Sequence, residues 1–252
     1  MNDLELLRQR ASTSALLFDF DGTLSPTVPD PEQAQAADGL VDRLVALDQR
    51  YRTVAVISGR PVAFLEARLP DTLLLSGQYG LESATGGRTT IRSGAEQWRE
   101  VVADAVDRVT TETAGTEGIW VEPKGLSITV HYRHNPAAET LVRSLVADLA
   151  TSTGLVVHDA KQSVELRIPV AADKGTVVRE LAAGADGVLY AADDLGDLPA
   201  LQAVAELREA GMIGVNVAVD SPELPDAVRA AADLVVPGQD GLRDLLDQLL
   251  AT

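Results

Sequence analysis

Leu16 to Leu24 reads LLFDFDGTL. Ala15 to Phe18 is an apolar run suited to a strand buried on both faces, and it breaks off into Asp19, Phe20, Asp21, Gly22 and Thr23. If the strand continued, alternation about Phe20 would send Asp19 and Asp21 to the same side, and Gly22 lets the backbone leave it sharply. Two carboxylates held that close repel each other unless a proton or a cation intervenes, so the stretch invites Mg²⁺. Read as plain structure, the same letters are a strand followed by an acidic turn.

Outward from this stretch, apolar runs and helical spacings alternate. Pro26, Pro29 and Pro31 make a stiff loop, and Leu40, Leu44 and Leu47 space a helix that ends near Gln49. Thr53 to Ile57, TVAVI, is the next buried strand, followed by Ser58-Gly59-Arg60-Pro61, a helix through Phe64 and Leu65, and a strand at Leu73 to Leu75. TGGRTTIRS, residues 85 to 93, suggests a hairpin or loop. From Lys174 the rhythm returns, with helices over 174–183, 198–209, 223–231 and 240–251 and strands over 188–191, 212–215 and 233–236. Such alternation predicts a parallel sheet with right-handed crossovers.

Between these two stretches the pattern changes. A helix over Ala95 to Glu112 precedes strands at Ile119 to Glu122 and Ser127 to Arg133, then a helix opened by Pro136 and strands at Leu155 to His158 and Ser163 to Ile168. In the second of these strands Ile128, Val130 and Tyr132 alternate with Thr129, His131 and Arg133, which implies one buried and one wet face. The expected fold class is therefore α/β. A discontinuous core, residues 1–94 and 171–252, forms a Rossmann-like parallel sheet with helices on both faces, and residues 95–170 form an inserted α+β domain.

Bulk properties narrow the partners. The chain has 252 residues, 46% hydrophobic and 23% charged, as in a folded globular protein. It contains no cysteine, which excludes disulfides and thiolate metal sites and leaves oxygen ligands as the expected metal chemistry. A formal charge of −17 argues against nucleic acid or an anionic membrane as partner, because both require a basic surface. No apolar run approaches the roughly 20 residues of a membrane span, and MNDLELLRQR lacks the basic-then-apolar order of a secretory signal. A cytoplasmic monomer is expected.

Three further segments fall where parallel strands should end, which is where ligands bind in open sheets. Ser58-Gly59-Arg60 follows TVAVI, and a hydroxyl and amide there can hold a phosphoryl oxygen or simply cap a helix. Lys174, after Asp173, opens a helix where a cation opposes the macrodipole, which suggests that its charge serves a phosphate or a nucleophile. Asp193-Asp194-Leu195-Gly196-Asp197 follows VLYAA. Asp197 reads as a cap for the helix at Leu198, and Asp193, with Asp194 beside it, supplies the carboxylate that Asp19 and Asp21 need for an Mg²⁺ site.

In that order, DFDGTL, SGR, the helix-opening Lys and DDxxD resemble the haloacid dehalogenase superfamily of phosphohydrolases. The resemblance implies that Asp19 attacks phosphorus to form an aspartyl-phosphate and that Asp21 is first the general acid and then the base. It implies that Asp19, Asp21, Asp193 and Asp194 hold the metal. Ser58 and Lys174 would bind the phosphoryl oxygens, with Gly22, Thr23, Gly59 and Arg60 alongside. Val121-Glu122-Pro123-Lys124, Ser127, His131-Tyr132-Arg133, Lys161 and Val164-Glu165-Leu166-Arg167, with GQYGLE at 77–82, resemble trehalose-6-phosphate phosphatases. The implied substrate is a small sugar phosphate, trehalose 6-phosphate. The inserted domain would be a cap in which Glu122, Lys124 and Glu165 hydrogen-bond sugar hydroxyls and Arg133 and Lys161 hold the substrate near its phosphate. The alternatives are a phosphatase of another sugar or pseudo-disaccharide phosphate and a non-catalytic sugar-phosphate sensor.

Overall fold

The structure, a computed structural model, describes residues 3–28, 30–160 and 162–251. Its strands are, in chain order, β1 (Ser14–Phe18), β2 (Thr53–Ile57), β3 (Leu74–Gly77), β4 (Glu82–Thr85), β5 (Arg88–Ile91) and β6 (Trp120–Pro123). They continue with β7 (Ser127–His131), β8 (Val156–Ala160), β9 (Ser163–Arg167), β10 (Gly187–Ala192), β11 (Ile213–Val219) and β12 (Leu234–Val236). The helices are α1 (Asp3–Gln9), α2 (Leu40–Asp48), α3 (Val62–Glu66), α4 (Arg99–Thr113) and α5 (Glu139–Thr153). After these come α6 (Lys174–Leu181), α7 (Leu198–Glu209), α8 (Asp226–Ala231) and α9 (Gly238–Leu250). The chain divides into two compact units, one made of the residues up to Thr90 and from Ala172 onward, the other of Ile91–Ala171.

The first unit is built on a sheet that, among the described residues, has eight strands in the order β12, β11, β10, β1, β2, β3, β4, β5. Strands β12 to β3 pair in parallel, with Leu16 of β1 standing between Leu189 of β10 and Val54 of β2. Every residue of SALLF and GVLYAA is buried, which is why these strands read as continuous apolar runs. Leu16 and Phe18 pack with Leu40, Leu44 and Leu47 of α2 and Leu242 and Leu246 of α9. Ala15, Leu17 and Tyr190 face the other way, toward Val177 and Val178 of α6 and Leu201 and Val204 of α7. Burying each such Leu or Phe stabilises the fold by about 1.5–3 kcal/mol.

The sheet is mixed rather than wholly parallel. The segment read as a hairpin or loop holds β5, the edge strand, and β4, just before it, runs antiparallel to β3. Strand β11 also runs past Val215, where Asn216 looks like a stop; its Nδ2 donates to the carbonyls of Leu201 and Ala231, so the amide is carried inside the sheet.

In the second unit β6, β7, β9 and β8 form an antiparallel sheet. Ile128, Val130, Val164 and Leu166 are fully buried on one face, the apolar counterpart of Val102, Val109, Val142 and Leu149 on α4 and α5. Of the residues expected on the wet face, Arg133 is exposed and His131 half-buried, but Thr129 is buried, together with Ser127, Ser163 and Glu165 around it. Ser127, Arg167 and Lys124 surround the Glu165 carboxylate, which makes its burial tolerable. No helix among the described residues is long and apolar enough to cross a membrane.

Candidate functional site

In the first unit the strand order reverses direction at β1: β1, β2 and β3 progress one way across the sheet, and β10, β11 and β12 the other. Beyond the carboxyl ends of strands, such a reversal opens a crevice. Strand β1 ends at Phe18, and the Asp19 amide adds one more ladder bond to the Ala191 carbonyl at 3.0 Å, so Asp19 is aimed by the sheet itself. Asp193 leaves the end of neighbouring β10, and Ser58 the end of β2.

Lys174, buried in the first turn of α6, lies 2.5 Å from Asp19 Oδ1 and 2.6 Å from Asp197 Oδ1. Asp173 caps this helix by accepting from the Thr176 amide at 2.6 Å. The Tyr190 hydroxyl donates to Asp197 Oδ1 at 2.5 Å. One carboxylate oxygen each from Asp19, Asp193 and Asp197 lies within 4.8 Å of the others. Asp193 is held by the Thr23 hydroxyl at 2.8 Å, and the carbonyls of Gly22 and Thr23 accept from Gln239 Nε2 at 2.7 and 3.3 Å.

Burial is the main force on these groups. It pushes the Asp19 carboxyl well above the ordinary range, with the Asp197 charge adding to the shift and Lys174 opposing it. Asp193 rises from 3.8 to about 7, first through burial, then through Asp197, against the Thr23 hydrogen bond. For Lys174, burial favours the neutral amine, but Asp19 and Asp197 outweigh it and hold the ammonium charged. When ionised, these three carboxylates face a single ammonium, a largely buried excess of negative charge. Hard oxygen donors with that imbalance suit a divalent cation such as Mg²⁺.

The carboxylates of two residues expected in the metal set are engaged by other partners. Asp21 stands beyond the strand, its side chain 41% exposed, and receives Arg60 Nε on Oδ2 and Nη2 on Oδ1, both at 2.9 Å. Asp194 caps the 3-10 turn Leu195–Asp197 by accepting from the Gly196 amide at 2.8 Å. Asp197, expected as a cap, is fully buried and joins Asp19 and Asp193 instead. The strand stops at Phe18 because Gly22 and the bridge between Asp21 and Ser25 turn the chain away, so alternation no longer governs Asp21.

Ser58 is buried, and its Oγ accepts from the Arg60 amide at 3.1 Å rather than capping a helix; α3 begins only at Val62. Gly59 packs on Tyr79, whose ring a Cβ at 59 would meet at 2.7 Å. Tyr79 itself adopts φ 58 and ψ 28, a left-handed conformation inside the GQYGLE segment. Tyr190 and Gln239 carried no signal in the sequence. A tyrosine in a buried strand reads as core, and a glutamine in an amphipathic helix as surface.

The second unit carries its own polar constellation. Glu165, 4% exposed, accepts from Ser127 Oγ at 3.0 Å and from Arg167 Nε and Nη2 at 2.8 and 2.5 Å. Lys124 lies 3.5 Å from Glu165 and 3.8 Å from Glu122, and Glu122 is 2.8 Å from His131 Nε2. Trp120 stacks on the His131 ring with centroids 4.6 Å apart. Thr129, opposite both Glu122 and Glu165 in the register, has a buried Oγ1 with no hydrogen-bond partner among the described residues. Glu122, Lys124 and Glu165 are thus brought together on one sheet face. Arg133 is exposed in the turn after β7, and Lys161 lies outside the described residues.

Comparison with known proteins gives the same direction. The trehalose-phosphatase family model matches residues 17–232. A trehalose-phosphate phosphatase of Mycobacterium avium is 32% identical over 228 residues, covering 86% of this chain and 57% of that protein. A Mycobacterium tuberculosis protein named an uncharacterized glycosyl hydrolase is 33% identical over 231 residues, covering 86% of this chain and 17% of its own length. The chain therefore spans between about a sixth and somewhat over half of the curated relatives it matches. Among solved structures, a trehalose-6-phosphate phosphatase related protein superposes with a TM-score of 0.79 at 21% identity, covering 94% of this chain and 96% of that one.

Proposed function

Because the chain belongs to the trehalose-phosphatase family of the haloacid dehalogenase superfamily, we propose that it is a phosphomonoesterase that hydrolyses trehalose 6-phosphate to trehalose and phosphate. The observation that carries the reading is Asp19 at the mouth of β1, hydrogen-bonded to a buried charged Lys174 and within reach of Asp193 and Asp197. A carboxylate is a weak nucleophile, and here Lys174, together with a divalent cation when bound, would offset its repulsion from a phosphoryl anion.

In the reaction an Asp19 oxygen bonds to phosphorus as the bond from phosphorus to the sugar oxygen breaks, and protonated Asp21 gives that oxygen its proton. Water then attacks the phosphorus of the aspartyl-phosphate while Asp21 takes a proton from it, which restores both carboxyl groups and releases phosphate. Lys174, Ser58 and the Gly22 and Thr23 amides face the phosphoryl oxygens, and Lys174 keeps Asp19 oriented throughout. Asp19 and Asp193 would hold Mg²⁺, with Asp197 adding negative charge nearby. When bound, the ion supplies charge neutralisation between the carboxylate and the phosphoryl group.

The second unit acts as the sugar-reading cap in this proposal. Glu122, Lys124 and Glu165 offer acceptors and donors on one face, suited to a disaccharide that presents many hydroxyls. A cytoplasmic, monomeric enzyme belongs to the same reading. Phosphate release from a panel of sugar phosphates, with Mg²⁺ and with EDTA, tests it. Trehalose 6-phosphate is expected to be turned over in Mg²⁺ alone and D19N to be inactive. Preferred turnover of another sugar phosphate would transfer the reading to that substrate, and binding without turnover would make the chain a sensor.

A further inference from the structure

The Arg60 side chain is held from backbone to tip. Its amide donates to Ser58 Oγ at 3.1 Å, its carbonyl accepts from the Gln78 amide at 2.8 Å, and its guanidinium lies 4.4 Å over the Phe64 ring. From that seat Nη2 also reaches the Pro31 carbonyl at 3.1 Å. The fork meets Asp21 with two parallel bonds, the geometry in which a planar guanidinium fixes a carboxylate in both position and rotation.

From this arrangement we infer that Arg60 is the positioning residue of Asp21, rather than the phosphate ligand that its place in SGR suggests. A guanidinium with its fork committed to a carboxylate, its face on Phe64 and an edge on a carbonyl has little left to offer a phosphoryl oxygen. Asp21 needs such a partner. It sits beyond the end of β1, in a turn the ladder does not hold, yet proton transfer to a leaving oxygen requires its carboxyl at a defined distance. Each Asp21 oxygen gives one lone pair to Arg60 and keeps another, and the half-exposed carboxyl stays open on its other side. The inference rests on the reading of Asp21 as the acid and base of the proposed reaction.

Single-turnover kinetics with substrates of different leaving groups test it. An alkoxide leaving from trehalose 6-phosphate needs a proton, whereas p-nitrophenolate departs without one. In R60M, which keeps an apolar stem on Phe64, trehalose release is expected to fall about 100-fold, p-nitrophenol release to stay within about threefold and KM within about twofold. R60K restores part of the loss, and R60M added to D21N causes no further loss. Equal loss on both substrates with a raised KM would make Arg60 a phosphate ligand and overturn the inference, as would undiminished trehalose release. A denaturation cycle over R60M, D21N and the double variant reads the pair without turnover, so it remains decisive if neither ester is hydrolysed. Non-additive midpoint shifts are expected, and additive shifts overturn the clamp.

Discussion

The Asp193 carboxylate occupies the space that a side chain on residue 22 would need. A Cβ built on Gly22 would lie 1.8 Å from Asp193 Oδ2, and the backbone there has φ +83. The glycine of DFDG thus seats the acidic segment after β10 against the turn after β1, and the Thr23 hydroxyl then fastens it.

Replacing Gly22 by Ala is therefore expected to cost about 2–4 kcal/mol, the sum of positive-φ strain and a clash with the half-buried Asp193 carboxyl. In urea denaturation G22A should unfold early, and adding D193A should recover part of the loss. Equal stability of G22A and the parent chain would mean that the segment shifts aside freely.

Lys174 stands between two carboxylates, and removing it leaves Asp19 and Asp197 to face each other in a buried site. K174M is expected to lose about 3–5 kcal/mol, the scale seen when one partner of a buried ion pair is deleted. K174M/D197N should regain some of it. Chemical denaturation of the three proteins measures both values, and turnover should be lost in each variant.

The raised Asp193 pKa makes stability depend on pH in a defined direction. Its folded value of about 7 exceeds the ordinary 3.8, so the native state binds the proton more tightly than the unfolded chain. The stabilisation is complete below about pH 4 and is lost as pH climbs through about 7. Asp19 is shifted the same way by burial and Asp197. The melting temperature of the metal-free protein should fall between about pH 5 and about pH 8, and Mg²⁺ should restore more of it at the higher pH. Calorimetry in buffers of different ionisation heat should detect proton release on metal binding near neutrality. A flat melting profile would count against the cluster.

In the second unit Glu165 answers two cations and a hydroxyl. E165A should destabilise the protein by about 2–4 kcal/mol, because Arg167 and Lys124 would lose a buried counter-charge. Substitution of Glu122, which Lys124 and His131 approach from one face, should weaken turnover of trehalose 6-phosphate by tenfold or more, on the order of one lost charged hydrogen bond, and leave p-nitrophenyl phosphate almost unchanged. Steady-state kinetics on the two substrates checks it.

The strands of the core were legible because parallel strands buried on both faces are written as uninterrupted apolar runs, and TVAVI marks β2 at both ends. The residues at the strand mouths were legible for the same reason: charge after such a run has few structural uses. What the letters did not carry was the division of labour among the acids. On paper Asp21 and Asp194 read as ligands and Asp197 as a cap, since a carboxylate looks the same in a turn, a cap or a buried cluster. Likewise Thr129 reads as part of a wet strand face, yet it is buried, and beside it pairing with Lys124, Arg167 and Ser127 lets Glu165 lie buried as well.

The amino-acid sequence alone determined an alternating α/β core interrupted by a second unit, and the LLFDFDGTL stretch at its centre, because period and burial are local properties of the chain. The tertiary structure decided that Lys174 and Asp197, from segments far along the chain, meet Asp19, and that Arg60 takes Asp21. Those partnerships depend on the order in which strands are laid side by side. Reversal of that order at β1 gathers the ends of β1, β2 and β10 into one place, and no local pattern encodes it.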